Sequence, residues 1–153
     1  MKISFLCTGK TTDSHVSALM KMYINRLANY CTFNLIETAE IKSAHPAEAK
    51  KKETLLIKKE IEKADAIVLL DETGEQLSSK EFAVFIQKKQ LASKKHLIFV
   101  IGGAYGFSDE IYKTAGDKIS LGRMTFPHQL VRVIFLEQLY RAFSILKNEP
   151  YHH

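Results

Sequence analysis

The sequence predicts an α/β fold with a largely parallel sheet and helices on both faces. Short apolar runs rich in β-branched residues alternate along the chain with longer stretches of 3.6-residue periodicity. Two of the runs, Ala66 to Leu70 and His96 to Ile101, are apolar almost throughout, as strands buried on both sides must be. Each of these two stops at a polar or glycine break, Asp71 after the first and Gly102-Gly103 after the second. In sheets of this kind ligands bind beyond the carboxyl ends of the strands, so those breaks are the first places to look for a site.

The elements follow in order. Residues 2–7 (KISFLC) read as the first strand. Asp13 or Ser14 can cap a helix running to about Asn29, with Val16, Leu19, Met20, Tyr23 and Leu27 turned inward. A second strand covers 32–37. Pro46, suited to a first helical turn, opens a long helix to about Lys63 whose interleaved Lys and Glu read as a solvated face. The buried strand from Ala66 ends at Asp71, a helix fits 79–90, and the second buried strand runs from His96 to Ile101. A short helix from Ser108 to about Ala115, a short strand near Lys118 to Leu121 and a terminal helix starting at Pro127 complete a single domain over residues 1–153. From Gln129 to Leu146 that last helix is apolar around nearly its whole circumference. Such a helix is buried on more than one side, which predicts a homodimer with this helix at its interface.

Composition removes several function classes. The chain has 22 Lys+Arg against 17 Asp+Glu, a formal charge of +5, with 46% hydrophobic residues and only two cysteines. Cys7 and Cys31 stand in neither a CxxC pair nor Cys/His metal spacing, which points to a reduced cytoplasmic setting and to no metal site. No run approaches the ~18 apolar residues of a membrane span. The charge is unevenly placed. Residues 1–31 hold Lys2, Lys10, Lys21 and Arg26 against Asp13, and residues 80–95 hold five lysines against Glu81, whereas 32–79 is net acidic. Lys88, Lys89, Lys94 and Lys95 read equally as a phosphate-facing patch and as plain solubility.

The nucleotide fingerprints fail. Gly9-Lys10-Thr11 has the end of a phosphate-binding loop, but its leading glycine would fall at Ser4 inside the first strand. Gly102-Gly103-Ala104-Tyr105-Gly106 resembles a dinucleotide loop, yet GxGxxG needs glycine at position 104. Three glycines in five residues after a buried strand still favour a loop that faces a ligand over a mere tight turn. Asp71-Glu72-Thr73-Gly74 ends the neighbouring buried strand in a similar polar loop, and the two loops can share one site. His128, beside Pro127, reads first as a satisfied structural histidine. The chain closes in Glu149-Pro150-Tyr151-His152-His153.

The segments LIFVIGGAYGF, MTFPHQLVR and PYH, with the opening KISFLCTGK, closely resemble the RlmH family of SPOUT-class methyltransferases over essentially the whole chain. The resemblance implies a homodimeric enzyme with a C-terminal trefoil knot. The enzyme so implied uses S-adenosylmethionine to methylate N3 of a pseudouridine in large-subunit ribosomal RNA, and the absence of any RNA-binding module in the sequence predicts the assembled ribosome as its substrate. The resemblance also implies cofactor contacts at Leu70, at Gly102 and Gly103, and along Leu121, Gly122, Arg123, Met124, Thr125 and Phe126. S-adenosylmethionine carries no phosphate, so the missing fingerprints are expected. Candidates for work at the methyl group are Tyr151, His152, Arg132 and His128, with the tail residues Tyr151 and His152 preferred. Arg132 reads equally as a structural or phosphate-binding group. The alternatives are a ribosome-associated binding protein of the same fold without turnover and a flavodoxin-like ligand-binding module. The charge surplus falls outside the C-terminal third, which suggests docking on ribosomal phosphates separate from the chemistry.

Overall fold

The computed structural model describes residues 1–151. In chain order the elements are β1 (Lys2–Cys7), α1 (Ser14–Leu27), β2 (Thr32–Glu37), α2 (Pro46–Ile61) and β3 (Ala66–Gln76). They continue with α3 (Ser79–Leu91), β4 (His96–Ile101), α4 (Asp109–Thr114), β5 (Asp117–Ser120) and α5 (Leu130–Leu146). The strands form one sheet in the order β2-β1-β4-β3-β5, and every neighbouring pair is parallel. All five carboxyl ends therefore meet at one edge, and the α/β architecture expected from the alternation is the one observed.

Local chemistry sets the helix starts. Asp13 accepts hydrogen bonds from the backbone N–H groups of His15 and Val16 at the head of α1, and these bonds hold its carboxyl below the usual range. Ser78 and Glu81 form a reciprocal capping box that opens α3. Pro46 occupies the first turn of α2, where its missing N–H costs nothing.

Alternation along the strands divides the core. Ile3, Phe5, Val68, Leu97 and Phe99 face α1, α3 and α5, whereas Leu6, Leu69, Ile98 and Val100 face α2 and α4. At the centre of the first layer, the fully buried Phe135 ring lies 4.4 Å from Phe5 and 4.8 Å from Phe99.

The structure departs from the sequence expectations at four points. Leu19 is 43% exposed, because the inward stripe of α1 runs through Val16, Met20, Tyr23, Ile24 and Leu27. β3 does not end at Asp71. Residues 71–74 swing out and the strand then regains β5, so that Leu70 and Glu75 both pair with Ile119. Gly74 makes this possible, since a Cβ there would lie 2.6 Å from the Ile119 backbone. α5 begins at Leu130 instead of Pro127, because a turn precedes it in which the Val131 N–H reaches the Pro127 carbonyl at 3.1 Å. Finally, α5 lies over the sheet between α1 and α3, so most of its apolar circumference is covered within one chain and does not by itself require a partner.

Replacing the central ring should show how far the core depends on it. Phe135→Ala is expected to lower the unfolding free energy by about 3–5 kcal/mol in urea denaturation followed by circular dichroism. A loss below about 1 kcal/mol would mean that the aromatic cluster is not the keystone of this layer.

Candidate functional site

Beyond the carboxyl ends of β3, β4 and β5 lies a cavity of about 300 Å³. Leu70 and Ile101 enter it as the last buried residues of two strands. Gly103 and Ala104 follow from the turn after β4, and the segment after β5 contributes Ser120, Leu121, Gly122, Met124, Thr125 and Phe126. His128 and Val131 close it from the entry to α5. Eight residues selected from the sequence thus meet here: Leu70, Gly103, Leu121, Gly122, Met124, Thr125, Phe126 and His128. Gly102 is not in the wall; it backs the loop, where a Cβ would lie 3.1 Å from the Phe107 ring. Arg123 is exposed and also stands outside the lining.

Several lining residues escaped the sequence reading. Ile101 and Ser120 are the last strand residues before turns already selected, so the strand-end signal could have found them. Ser120 folds its turn by donating to the Gly122 carbonyl at 3.0 Å and accepting from its N–H at 3.3 Å. Val131, inside an apolar helix, gave no such signal. Asp71 and Glu72 form a polar rim. Asp71 accepts from Thr73 and from the Tyr112 hydroxyl, the latter at 2.6 Å. Burial opposes its charge, but those hydrogen bonds outweigh burial and leave the carboxyl below its ordinary range. With both oxygens engaged, Asp71 is suited to fixing the loop and poorly suited to taking up a proton.

A second cavity, of about 360 Å³, lies on the β1 side and shares Gly103, Ala104 and His128 with the first. Lys10, Glu53, Tyr105, Gln129 and Arg132 also line it. Glu53, midway along α2, accepts from the Gly103 N–H at 2.7 Å. A Cβ on Gly103 would come within 2.5 Å of that carboxylate, so a larger residue there would push the Glu53 side chain aside. Burial pushes the Glu53 pKa up, against the pull of Gly103 and His128.

The four candidates for chemistry are placed differently. His128 sits between the two cavities, and its Nε2 is 2.9 Å from the Thr8 carbonyl. A carbonyl only accepts, so Nε2 carries the hydrogen and a neutral ring leaves Nδ1 as an acceptor. Arg132 is completely buried. It donates to the Thr8 carbonyl at 2.9 Å and the Thr11 hydroxyl at 2.8 Å, and pairs with Glu37 at 3.1 Å. Its place is structural first. Tyr151 packs edge-to-face on Tyr140 with centroids 4.7 Å apart and donates to Glu137 at 3.1 Å, lining neither cavity of its own chain. His152 lies outside the described residues.

Among the described residues, no group of three His, Cys, Asp or Glu could hold a metal ion, and no helix is long and apolar enough to cross a membrane. Lys10 lines the second cavity, but most other members of the basic stretches sit away from both cavities. Lys2 opens β1, Lys94 and Lys95 precede β4, and Arg26, Lys88 and Lys89 lie in the last turns of α1 and α3, all at the amino ends of the strands. Lys89 is paired with Asp117 at 2.6 Å.

A family model described as "Predicted SPOUT methyltransferase" matches residues 1–152. A protein of Christiangramia forsetii named "Ribosomal RNA large subunit methyltransferase H" is 50% identical over 156 aligned positions, spanning 100% of this chain and 99% of that one. One of the same name from Parabacteroides distasonis is 45% identical with the same coverage. In fold alone, the chain is similar to a probable methylase family protein from Haemophilus influenzae, with a TM-score of 0.52 and 12% identity. That likeness covers 96% of this chain and 66% of the other.

The buried guanidinium makes a sharp test of structure against chemistry. Arg132→Ala empties a fully buried position and leaves the Thr8 carbonyl short of a donor, and is expected to lower stability by about 2–5 kcal/mol. A thermal melt unchanged from the parent would contradict the structural role.

Proposed function

This chain belongs to the SPOUT methyltransferase family, and from that premise we propose a full account of its activity. It is an S-adenosylmethionine-dependent methyltransferase of large-subunit ribosomal RNA. Its target atom, in our reading, is N3 of a pseudouridine presented on the assembled ribosome in the cytoplasm.

The observation that carries the reading is the first cavity. Leu70, Ile101, Leu121, Phe126 and Val131 give it apolar walls able to cover an adenine ring and a thioether, and the turn at Gly103 brings backbone close to whatever fills it. It contains no cluster of cations for a phosphate, in keeping with a phosphate-free cofactor. Residues from Leu121 to Phe126 lie over the cavity and can enclose the bound molecule against the ends of β3 and β4. S-adenosylmethionine, when bound, supplies a methyl group activated by its sulfonium. The protein's part is to hold that group and the target nitrogen in line and to keep water out, since positioning is a large share of such a rate enhancement. N3 must also lose its proton. His128, with Nδ1 free to accept, is the nearest candidate within one chain.

Tyr151 and His152 remain candidates at the methyl group, but from a second copy. Tyr151 is held against Glu137, Tyr140 and Arg141 on α5 of its own chain. In this reading the tail serves the partner's cavity. The homodimer forms over the α1, α3 and α5 layer, where Leu19, Val84 and Leu130 are each more than two-fifths exposed. The trefoil knot belongs to the C-terminal third, between β5 and α5.

Calorimetry should detect S-adenosylmethionine binding to the full chain. Methyl incorporation should map to one pseudouridine in ribosomes from a strain lacking the protein. Removing residues 151–153 is expected to leave cofactor affinity and dimer mass unchanged while lowering transfer by roughly 100-fold or more. Unchanged turnover would eliminate the tail's role, and absence of binding heat would sink the enzyme reading.

A further inference from the structure

The reading above fills the cavity at β3, β4 and β5 and leaves the one beside β1 without an occupant. We infer that this second cavity receives the target base, with the free oxygen of Glu53 accepting the N1–H that distinguishes a pseudouridine from a uridine. The inference rests on the methyl-transfer reading and deepens it.

Position comes first. The second cavity shares Gly103, Ala104 and His128 with the first, so molecules in the two meet across those residues. Its volume of about 360 Å³ is ample for a pyrimidine ring. Its polar groups come next. Glu53 Oε1 is taken by the Gly103 N–H, and among the described residues no hydrogen bond to Oε2 is found. Such an oxygen, half-buried at a cavity wall, calls for a donor. Burial already raises the pKa of this carboxyl, the mark of a charge that lacks full solvation. A uracil ring supplies that donor, an N–H group in the plane of the ring.

Chemistry then fixes which N–H. The carbon-linked ring of pseudouridine carries N1–H and N3–H on either side of one carbonyl. The methyl group reaches N3 in the plane of the ring, along the direction its hydrogen has left, so a carboxylate lodged there would block transfer. At N1–H the same carboxylate grips the ring and leaves N3 open toward the first cavity. Uridine is attached through N1 and has no such hydrogen. Its binding would leave Oε2 desolvated and unpaired, and sites built around a hydrogen bond strongly reject the analogue that lacks it.

Glu53→Gln separates recognition from support of the loop. The glutamine carbonyl can still accept from Gly103, but its NH2 then faces N1–H donor to donor. The measurements are cofactor affinity by calorimetry, melting temperature, and kcat/KM for methyl transfer to ribosomes carrying pseudouridine or uridine at the target position. The expected result is cofactor affinity within about twofold of the parent and a pseudouridine-over-uridine preference reduced roughly tenfold or more, through loss on pseudouridine. Glu53→Asp, which keeps the charge but shortens its reach, should lose preference in the same direction and serves if the glutamine variant does not fold. An unchanged preference overturns the proposal, whether activity holds or falls equally on both substrates. Weakened cofactor binding also overturns it, since Glu53 would then act through the glycine turn. If the parent chain binds cofactor but methylates neither ribosome, the methyl-transfer reading fails and takes this proposal with it.

Discussion

The guanidinium of Arg132 decides where the last third of the chain can sit. It is fully buried, and burying a charge is tolerated only when its partners are in place. Those partners are the Thr8 carbonyl at the end of β1, the Thr11 hydroxyl and the Glu37 carboxylate at the end of β2. His128 donates to the same Thr8 carbonyl, and the side-chain Oε1 of Gln129 accepts from the backbone N–H groups of Thr12 and Asp13 at 2.9 and 3.0 Å. Three residues ahead of and within the first turn of α5 are thus stitched to the loop after β1. With that end fixed and β5 fixed by pairing with β3, the intervening residues 121–127 must bridge the ends of β3 and β4. The wall of the first cavity is the consequence.

Sheet order explains why there are two cavities and not one. β4 lies between β1 and β3, so the loop leaving it separates the space over β1 from the space over β3 and β5. A loop used as a thin partition cannot carry side chains on both faces. Gly103 meets that constraint, with the Glu53 carboxylate against one side and the first cavity on the other. Its N–H bond to Glu53 also ties the partition to α2, and Phe107 backs Gly102 from the same layer, so the loop is braced from the α2 and α4 side of the sheet.

What was legible in the sequence depended on how local the cause was. Strand ends followed by polar or glycine breaks identified the loops after Leu70 and at Gly102-Gly103, because a buried strand must stop where its chain turns, whereas the segment after β5 was marked only by the family resemblance. The return of β3 to β5 beyond Gly74 was illegible, since it depends on pairing Glu75 with Ile119, 44 residues away. Arg132 read equally as a structural and as a phosphate-binding group, because nothing nearby in sequence shows that Glu37 and the Thr8 carbonyl await it. Glu53 was hidden by its company. It stands in a run of lysines and glutamates that reads as a solvated face, yet Ala49, Ile57 and Ile61 are buried at multiples of four residues around it. A carboxylate on that stripe faces inward, and the periodicity could have identified it.

The positive charge has a different relation to the chemistry from the one its abundance suggests. Lys2, Arg26, Lys88, Lys94 and Lys95 gather at the amino ends of the strands, while both cavities open at the carboxyl ends. A six-residue strand separates those edges by about 20 Å, more than twice the screening length of about 8 Å at physiological salt. Within one chain these cations can scarcely influence a base bound at the site. They can hold RNA phosphates near a site only if RNA spans the length of the sheet, or if a second copy brings its basic edge beside the first copy's cavities. The proposed homodimer provides the second arrangement when the two sheets run in opposed directions, the same arrangement that would carry Tyr151 and His152 to the partner. Docking charge and tail then become demands on a single interface.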